Sequence, residues 1–333
     1  MSCASTPSVS VIIPTIDGAS LLPGCLGALY GQNVDVELII VDNGSKDGSI
    51  ERLRAELPGA TIVQNSGNLG FAKACNQGVE VATAPFVLLL NNDVRLDAGC
   101  LEGLVRVLER DAGIAACQPT LVDAKSGTLD SAGSDFTVTG FLHHLSEPEV
   151  LGEASSVVRR FSLKGACMLI RRDRWRAVGG LDESYFAYFE ESDLCWRFQL
   201  RGWNVCHAKT LSAQHVGGAT TTRLFASSYI DFLSFRNRLT TIRKNSSLRL
   251  EAIVLPLHIA CCLGMCVAFV VSGKPRNALA IIRALGWHAT HRRRSFAGTR
   301  PQRAAERRVL CAVSRPVEVS GAIRQLRAYL RRW

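Results

Sequence analysis

Residues 86–93 set five apolar side chains in a row, Phe86-Val87-Leu88-Leu89-Leu90, and stop them abruptly at Asn91-Asn92-Asp93. An unbroken apolar run of this length reads as a strand buried on both faces of a parallel sheet. A carboxylate where such a strand ends points into the crevice outside the carboxyl ends of the strands, where open α/β sheets bind their ligands. One carboxylate beside two amides suits a hard divalent cation that also carries phosphate oxygens. In isolation, an ordinary strand followed by a polar turn has the same appearance.

The first 120 residues repeat the pattern. Strands are expected at Val9–Ile13, Val36–Val41, Ala60–Gln64, Phe86–Leu90 and Ile114–Cys117. Helices are expected between them at Ala19–Gly31, Asp47–Glu56, Phe71–Val81 and Ala98–Arg110. This rhythm predicts an α/β fold, a parallel sheet with helices on both faces. Residues 119–160 lose the rhythm, are rich in Gly, Ser, Thr and Asp, and read as loop and irregular hairpin. Phe161–Arg171 resumes as a strand, Asp193–Arg201 as a helix, Trp203–His207 as a short strand, and Ser227–Lys244 as a helix with a basic end.

Charge divides the chain of 333 residues unevenly. The net charge is +10, yet Gly273 to Trp333 holds 15 Arg and Lys against 2 Asp and Glu. The first 272 residues are therefore mildly acidic, and the tail is suited to an anionic surface. Phe296 aside, the tail lacks aromatics interleaved with its basic residues, and it matches no recognised nucleic-acid module, so no nucleic-acid partner is expected. The 12 cysteines include no Cys-x-x-Cys pair and sit in apolar segments, as Cys25, Cys75, Cys117 and Cys167 do. They read as buried reduced thiols of a cytosolic protein. No signal peptide is evident. Ala252 to Val271 is 20 residues without a charge, the length that spans ~30 Å of hydrocarbon; a buried core helix is the competing reading. The expected division is a sheet domain over 1–245 and a membrane-associating region over 246–333.

Candidate site residues gather at expected strand ends. Pro14 and Thr15 close the first strand. Asp42 closes the second, followed by a tight Asn43-Gly44-Ser45 turn. Asn68 and Gly70 precede a helix, where a glycine lets backbone approach a phosphate and the helix N-terminus favours an anion. Asn91 and Asp93 follow the apolar run. Later, Glu190, Glu191 and Asp193 open a helix beside Tyr185, Phe186, Tyr188 and Phe189. Desolvation and like-charge neighbours raise a carboxylate pKa and make a usable base, although acids also favour a helix N-terminus for its dipole alone. His215 lies in a Gly-flanked loop, His215-Val216-Gly217-Gly218.

Segments 8–15, 38–49, 68–78, 86–94, 161–171, 179–203 and 215–218 together resemble glycosyltransferase family 2, in the branch of bacterial rhamnosyltransferases and related cell-surface polysaccharide enzymes. The likeness covers roughly residues 8–240. It implies a GT-A fold, a nucleotide-sugar donor, Mg2+ or Mn2+, and inversion at the anomeric carbon. Position by position, Pro14 and Thr15 resemble the nucleotide-facing end of the first strand, Asp42 the base-binding acid, and Asn68 with Gly70 part of the donor pocket. Asp93 matches the last acid of the family's metal-binding Asp-x-Asp motif, whose first acid is Asn91 here. That departure leaves the cation to Asp93, the diphosphate and His215. Glu191 stands where the family has the catalytic Asp of a Glu-Asp pair, and either Glu190 or Glu191 remains open as the base.

The resemblance further implies a lipid-linked saccharide acceptor and action at the cytoplasmic face of the inner membrane. Basic residues on both sides of Ala252–Val271 fit a re-entrant or interfacial anchor, because a single span would put the basic tail outside. Two rivals are a nucleotidyltransferase and a membrane-bound nucleotide-sugar sensor without turnover. The loop Asp17-Gly18-Ala19-Ser20 lacks the Lys or Arg that the first needs, and three acids at 190, 191 and 193 speak against the second.

Overall fold

A computed structural model describes residues 7–217, 224–291, 305–307, 309 and 314–315. Packing divides the chain into two units, Met1–Ser134 with His144–Ala219, and Asp135–His143 with Thr220–Trp333. The helix 227–245, which the sequence reading keeps with the sheet, therefore groups with the C-terminal unit.

The first unit opens with β1 (Val9–Thr15), α1 (Leu22–Tyr30), β2 (Val36–Asp42), α2 (Ser49–Glu56) and β3 (Thr61–Gln64). It continues with α3 (Phe71–Val81), β4 (Phe86–Leu90), β5 (Val94–Leu96), α4 (Cys100–Arg110), β6 (Ile114–Asp123) and β7 (Leu129–Ser131). The hairpin β8 (Ser134–Thr137) and β9 (Leu142–His144) leads the chain into the second unit and back. Then come α5 (Glu147–Leu151), β10 (Val157–Arg159), β11 (Cys167–Arg171), α6 (Arg172–Val178), α7 (Glu190–Leu200) and β12 (Asn204–His215).

The main sheet runs β10-β12-β6-β11-β4-β1-β2-β3, with β5 beside β12 and β7 beside β6. β4, β1, β2 and β3 are parallel, and β1 pairs with both β2 and β4. The chain therefore reverses its direction of strand addition at β1. Such a switch point opens a crevice at the carboxyl ends, here beyond Thr15, Asp42 and Leu90.

The apolar runs work as two-faced strands. Phe86, Leu88 and Leu90 join one core with Val9, Val11, Ile13, Leu38 and Ile40. Val87 and Leu89 join the opposite core with Ile12, Ile39 and Val41. Each fully buried side chain of this size stabilises by roughly 1.5–3 kcal/mol. Helix α4 buries Cys100, Leu101, Leu104, Val105 and Leu108, the stripe a 3.6-residue period predicts.

The expectation of a wholly parallel sheet holds for the first half only. β11 runs antiparallel to both β4 and β6. The strand expected over Phe161–Arg171 is regular only from Cys167, because 161–166 turn at Lys164-Gly165. The strand expected at Trp203–His207 continues to His215 through an irregularity between Ala208 and Ser212. The described cysteines are free thiols, and Cys25, Cys75, Cys117 and Cys167 are buried.

The second unit contains α8 (Ser227–Asn245), α9 (Leu248–Val271) and α10 (Pro275–Thr290). Ser247 caps α9 by accepting the Leu250 amide at 3.2 Å. Ser272-Gly273-Lys274 then turns the chain back, so α9 and α10 form a helical hairpin. Phe235, Cys262, Phe269, Ala278, Ile281 and Ala284 make its core. Helix α9 has a mean hydropathy of 2.4 and is long and apolar enough to cross a membrane. Ile253, Leu257, Leu263, Val267 and Val270 stay exposed along its outer side. The Arg-rich stretch from Arg292 to Trp333 lies almost wholly outside the described residues.

Candidate active site

The ends of β1 and β2 are tied together. Thr15 faces Asp42 across the pair. The carbonyl of Thr15 accepts the Asn43 amide at 2.8 Å, and its hydroxyl accepts from Asn92 Nδ2 at 2.8 Å. Asp17, in a left-handed conformation at φ +47°, accepts the Lys46 amide at 2.8 Å. Asp42 is fully buried. Its Oδ1 accepts from the amide and hydroxyl of Ser45, at 2.9 and 2.5 Å, which holds the turn. Its Oδ2 is buried with no hydrogen-bond partner. Leaving such an oxygen unmatched costs about 1–3 kcal/mol, so one half of this carboxylate is available to an N–H or O–H donor. Pro14 is half-buried on the same strand end.

The expected phosphate role of Gly70 does not survive. The carbonyl of Phe186 accepts the amides of Phe71 and Ala72 at 2.7 and 3.3 Å, so the first turn of α3 is already capped. Gly70 is required by that cap: its φ is +88°, and a Cβ there would lie 2.6 Å from both the ring and the carbonyl of Phe186. Asn68 supports the same junction, accepting the Gly70 amide at 2.9 Å. These two residues position the Phe186 loop and do not offer a free helix terminus.

Asp93 meets His215 because β5 pairs antiparallel with the end of β12, with Val94 opposite His215. His215 is thus the last residue of a strand, not a member of a loop. Its Nε2 lies 3.4 Å from Asp93 Oδ1, and its Nδ1 lies 2.9 Å from Asp130 Oδ2. Asp93 Oδ1 is buried and accepts no hydrogen bond. Lys164 Nζ donates to both Asp130 oxygens at 2.8 and 2.7 Å and comes within 3.5 Å of His215 Nδ1. Burial opposes charge on His215, but the hydrogen bond to Asp130 and the neighbouring Asp93 push its pKa up to about 9. Burial would raise Asp130; the bonds from His215 and Lys164 instead bring it down to about 2. Asp130 and Lys164 escaped the sequence reading.

Glu190 and Glu191 open α7 after a strained approach. Phe186, Tyr188 and Phe189 all have φ near +70°, rare for bulky residues. Glu190 is buried with Oε2 lacking any hydrogen-bond partner. Burial and then the adjacent Glu191 push its pKa well above the ordinary carboxylate range. Glu191 is raised by burial too, but the bond from Glu190 and the charge of Lys164 work against that. Both members of the pair are thus raised, and repulsion between them disfavours ionising both. Glu191 also packs where Gly165 leaves room, next in sequence to Lys164. Asp193 does not belong with them. It is fully buried and ion-paired with Arg197 at 2.8 Å, while Arg197 also donates to the carbonyls of Val178 and Gly180. Its carboxylate, through Arg197, fixes α7 to the Gly179-Gly180 turn.

Residues 10–162 match the profile of Glycosyl transferase family 2. Residues 10–162 therefore form a glycosyl transferase family 2 domain within the chain. The chain is 28% identical over 216 residues to an uncharacterised protein of Sinorhizobium fredii, covering 60% of this chain and 23% of that one. It is 25% identical over 211 residues to the N-acetylglucosaminyl-diphospho-decaprenol L-rhamnosyltransferase of Mycobacterium tuberculosis, covering 56% of this chain and 69% of that one. The chain thus spans under a quarter of the first relative and about two thirds of the second. Among solved structures, GalNAc-T7 with UDP, GalNAc and Mn2+ superposes with a TM-score of 0.58 at 13% identity, over 74% of this chain and 49% of that one. A mannosyltransferase from Pyrobaculum calidifontis with GDP-Man and Mn2+ gives 0.54 at 16% identity, over 98% and 86%. Both share its GT-A fold.

The donor set at this site fits a hard divalent cation. Asp93 presents an unmatched buried oxygen, and His215 turns Nε2 toward it while Asp130 holds Nδ1. A carboxylate on the far ring nitrogen is the usual support of a metal-ligating histidine. Among the described residues no group of three or more His, Cys, Asp and Glu side chains forms a self-sufficient cation cage. A cation held there would need its remaining ligands from substrate oxygens, as Mg2+ and similar ions accept from phosphates. Asn91 contributes backbone instead: its amide donates to Ala166 and its carbonyl accepts from Val94, which closes the turn that presents Asp93.

Proposed function

We propose that the protein transfers a sugar, with inversion, from a nucleoside-diphosphate donor to a hydroxyl of a lipid-linked saccharide. The supporting observation is the pair of half-used buried carboxylates, Asp42 at the end of β2 and Asp93 after β4, on either side of the β1 switch point. Asp42 Oδ2 accepts a donor hydrogen of the base or ribose. Asp93 and His215 would hold Mg2+ or Mn2+ together with the diphosphate. That cation, when bound, offsets charge developing on the leaving phosphate oxygens.

The protein's own groups supply the rest. Glu191 takes the proton from the acceptor hydroxyl as that oxygen attacks the anomeric carbon, and the bond to the nucleoside diphosphate breaks on the opposite face. One attacking oxygen and no protein nucleophile means a single displacement and inversion. Glu190, holding its own proton, keeps negative charge off its site and directs basicity to Glu191. Lys164 lies beside Asp130 and lowers Glu191, so one cation steadies both sides of the crevice.

The acceptor and location follow from the C-terminal unit and from the rhamnosyltransferase relative, whose name specifies a lipid-linked sugar. Rhamnose is accordingly the first donor sugar to try, in synthesis of a cell-envelope polysaccharide. Helix α9 turns straight back into α10, which carries Arg276 and Arg283 on its exposed side. That hairpin suits an interfacial anchor at the cytoplasmic face of the inner membrane better than a single span. The test is a donor screen scored by nucleoside-diphosphate release, with and without a lipid-linked acceptor and with Mn2+ or chelator. Release that depends on acceptor and on cation is expected. No release with any nucleotide sugar would leave a binding protein without turnover.

A further inference from the structure

Outside the crevice, the second unit contains a groove of ≈ 520 Å³ between α8 and α10, lined by Ser228, Tyr229, Phe232, Arg276, Leu279, Ala280 and Arg283. Its chemistry is divided. Arg276, Leu279, Ala280 and Arg283 follow one another at helical spacing along one stripe of α10. Tyr229 stacks between Phe225, at 5.4 Å, and Phe232, at 6.5 Å, to make an aromatic wall on α8. Among the described residues neither Arg276 nor Arg283 has a hydrogen bond or an ion pair, and both are exposed. No carboxylate lines the groove. From Leu248 to Thr290 the only acid is Glu251, against Arg249, Lys274, Arg276 and Arg283. Leu279 is 47% exposed and Ile282 45%, so the apolar stripe of α10 accompanies the outer apolar side of α9.

We propose that this groove binds a phosphate group carried on an apolar chain. The two guanidiniums take the phosphate oxygens, and the chain lies on Leu279, Tyr229 and Phe232. Guanidinium forks suit phosphate geometry, and basic residues above an apolar face are the pattern of proteins that rest on anionic membranes. The inference rests on the reading of a membrane-surface enzyme with a lipid-linked acceptor, and it names where the lipid's phosphate is held. A free phosphate would gain nothing from the aromatic wall, and a second protein copy would leave two guanidiniums facing no acid.

The test uses the full chain and three vesicle types: phosphatidylcholine alone, with phosphatidylglycerol added, or with an isoprenyl phosphate added. Flotation of the wild type with either phosphate-bearing vesicle, but weakly with phosphatidylcholine alone, is expected; the two arms tell a bulk headgroup from an acceptor-type lipid. Arg276→Gln with Arg283→Gln should weaken that binding about thirtyfold, at the usual strength of two basic residues near an anionic surface. Arg276→Lys with Arg283→Lys keeps the charge but loses the forks and should bind between the Gln pair and wild type, which separates lost charge from lost folding. Equal binding to phosphatidylcholine alone, displacement by inorganic phosphate, or equal loss in the Gln and Lys pairs would overturn the proposal. Nucleotide-sugar binding is measured on the wild type in parallel. A wild type that binds nucleotide sugar but no vesicle overturns the groove alone. One that binds vesicles but no nucleotide sugar overturns the glycosyl-transfer reading alone.

Discussion

The two sides of the crevice treat buried charge in opposite ways. On one side, Asp93, His215, Asp130 and Lys164 alternate in sign within 3.5 Å steps, and the charges balance. On the other, Glu190 and Glu191 set two like carboxyls side by side at a helix start, where burial and repulsion disfavour ionising both. The first arrangement holds its members in place, and a cation bound there would displace the proton from His215 Nε2; the second favours a retained proton. A cation site needs fixed, oriented ligands, whereas a general base needs a carboxylate whose pKa sits closer to neutrality. The proposed reading puts cation binding on the balanced side and proton transfer on the unbalanced one.

Breaking the balanced side at its centre has the largest effect. Asp93→Ala should abolish cation-dependent transfer while circular dichroism and melting show a retained fold; full activity in the presence of chelator would refute the cation role. Asp130→Asn removes the charge behind His215 but keeps the side chain's shape. It should weaken Mn2+ binding, followed by the free-ion paramagnetic resonance signal with a nucleoside diphosphate present, by about 10–100-fold. Unchanged binding would make Asp130 merely structural.

The smallest effect concerns pH. His215 is raised to about 9 in the folded chain, against ~6.5 unfolded. Its contribution to stability is therefore complete below ~6.5 and is lost as pH climbs through about 9. Asp130, lowered to about 2, contributes fully above its unfolded value of ~3.9 and loses that contribution as pH falls through about 2. Melting of the wild type should fall between pH 6.5 and 9, roughly the span of those two His215 values, and Asp130→Asn should flatten that slope. A slope identical in both would show that the pair is not formed in solution.

Legibility in the sequence followed the range of the interactions. Helix α3 and strand β4 have the expected bounds because their patterns are local: a stripe for one, an apolar run for the other. The parallel half, Asp42 and Asp93 followed from those strands. β5 and the second half of β12 were missed, since three residues of strand become recognisable only once paired. That pairing delivers His215 to Asp93, and the sequence reading reached His215 without the strand that carries it. Asp130 lies in the three-residue β7 and Lys164 in a turn 34 positions away, and nothing local marks either. Gly70 was misread because its partner, the Phe186 carbonyl, lies more than a hundred residues away. Asp193 is different: an Asp–Arg pair at i,i+4 is a readable signal, and weighing it would have removed Asp193 from the substrate-facing set.

Glu191 as the base is the central claim, and paired measurements on Glu191→Gln and Glu190→Gln test it most directly. Nucleotide-sugar binding and turnover are measured on both. The account predicts that Glu191→Gln binds donor as the wild type does and loses turnover by about two to four orders of magnitude, the usual scale of general-base help. Glu190→Gln, whose residue already holds a proton, should retain much more activity. A dead Glu190→Gln beside a near-wild-type Glu191→Gln would contradict the account.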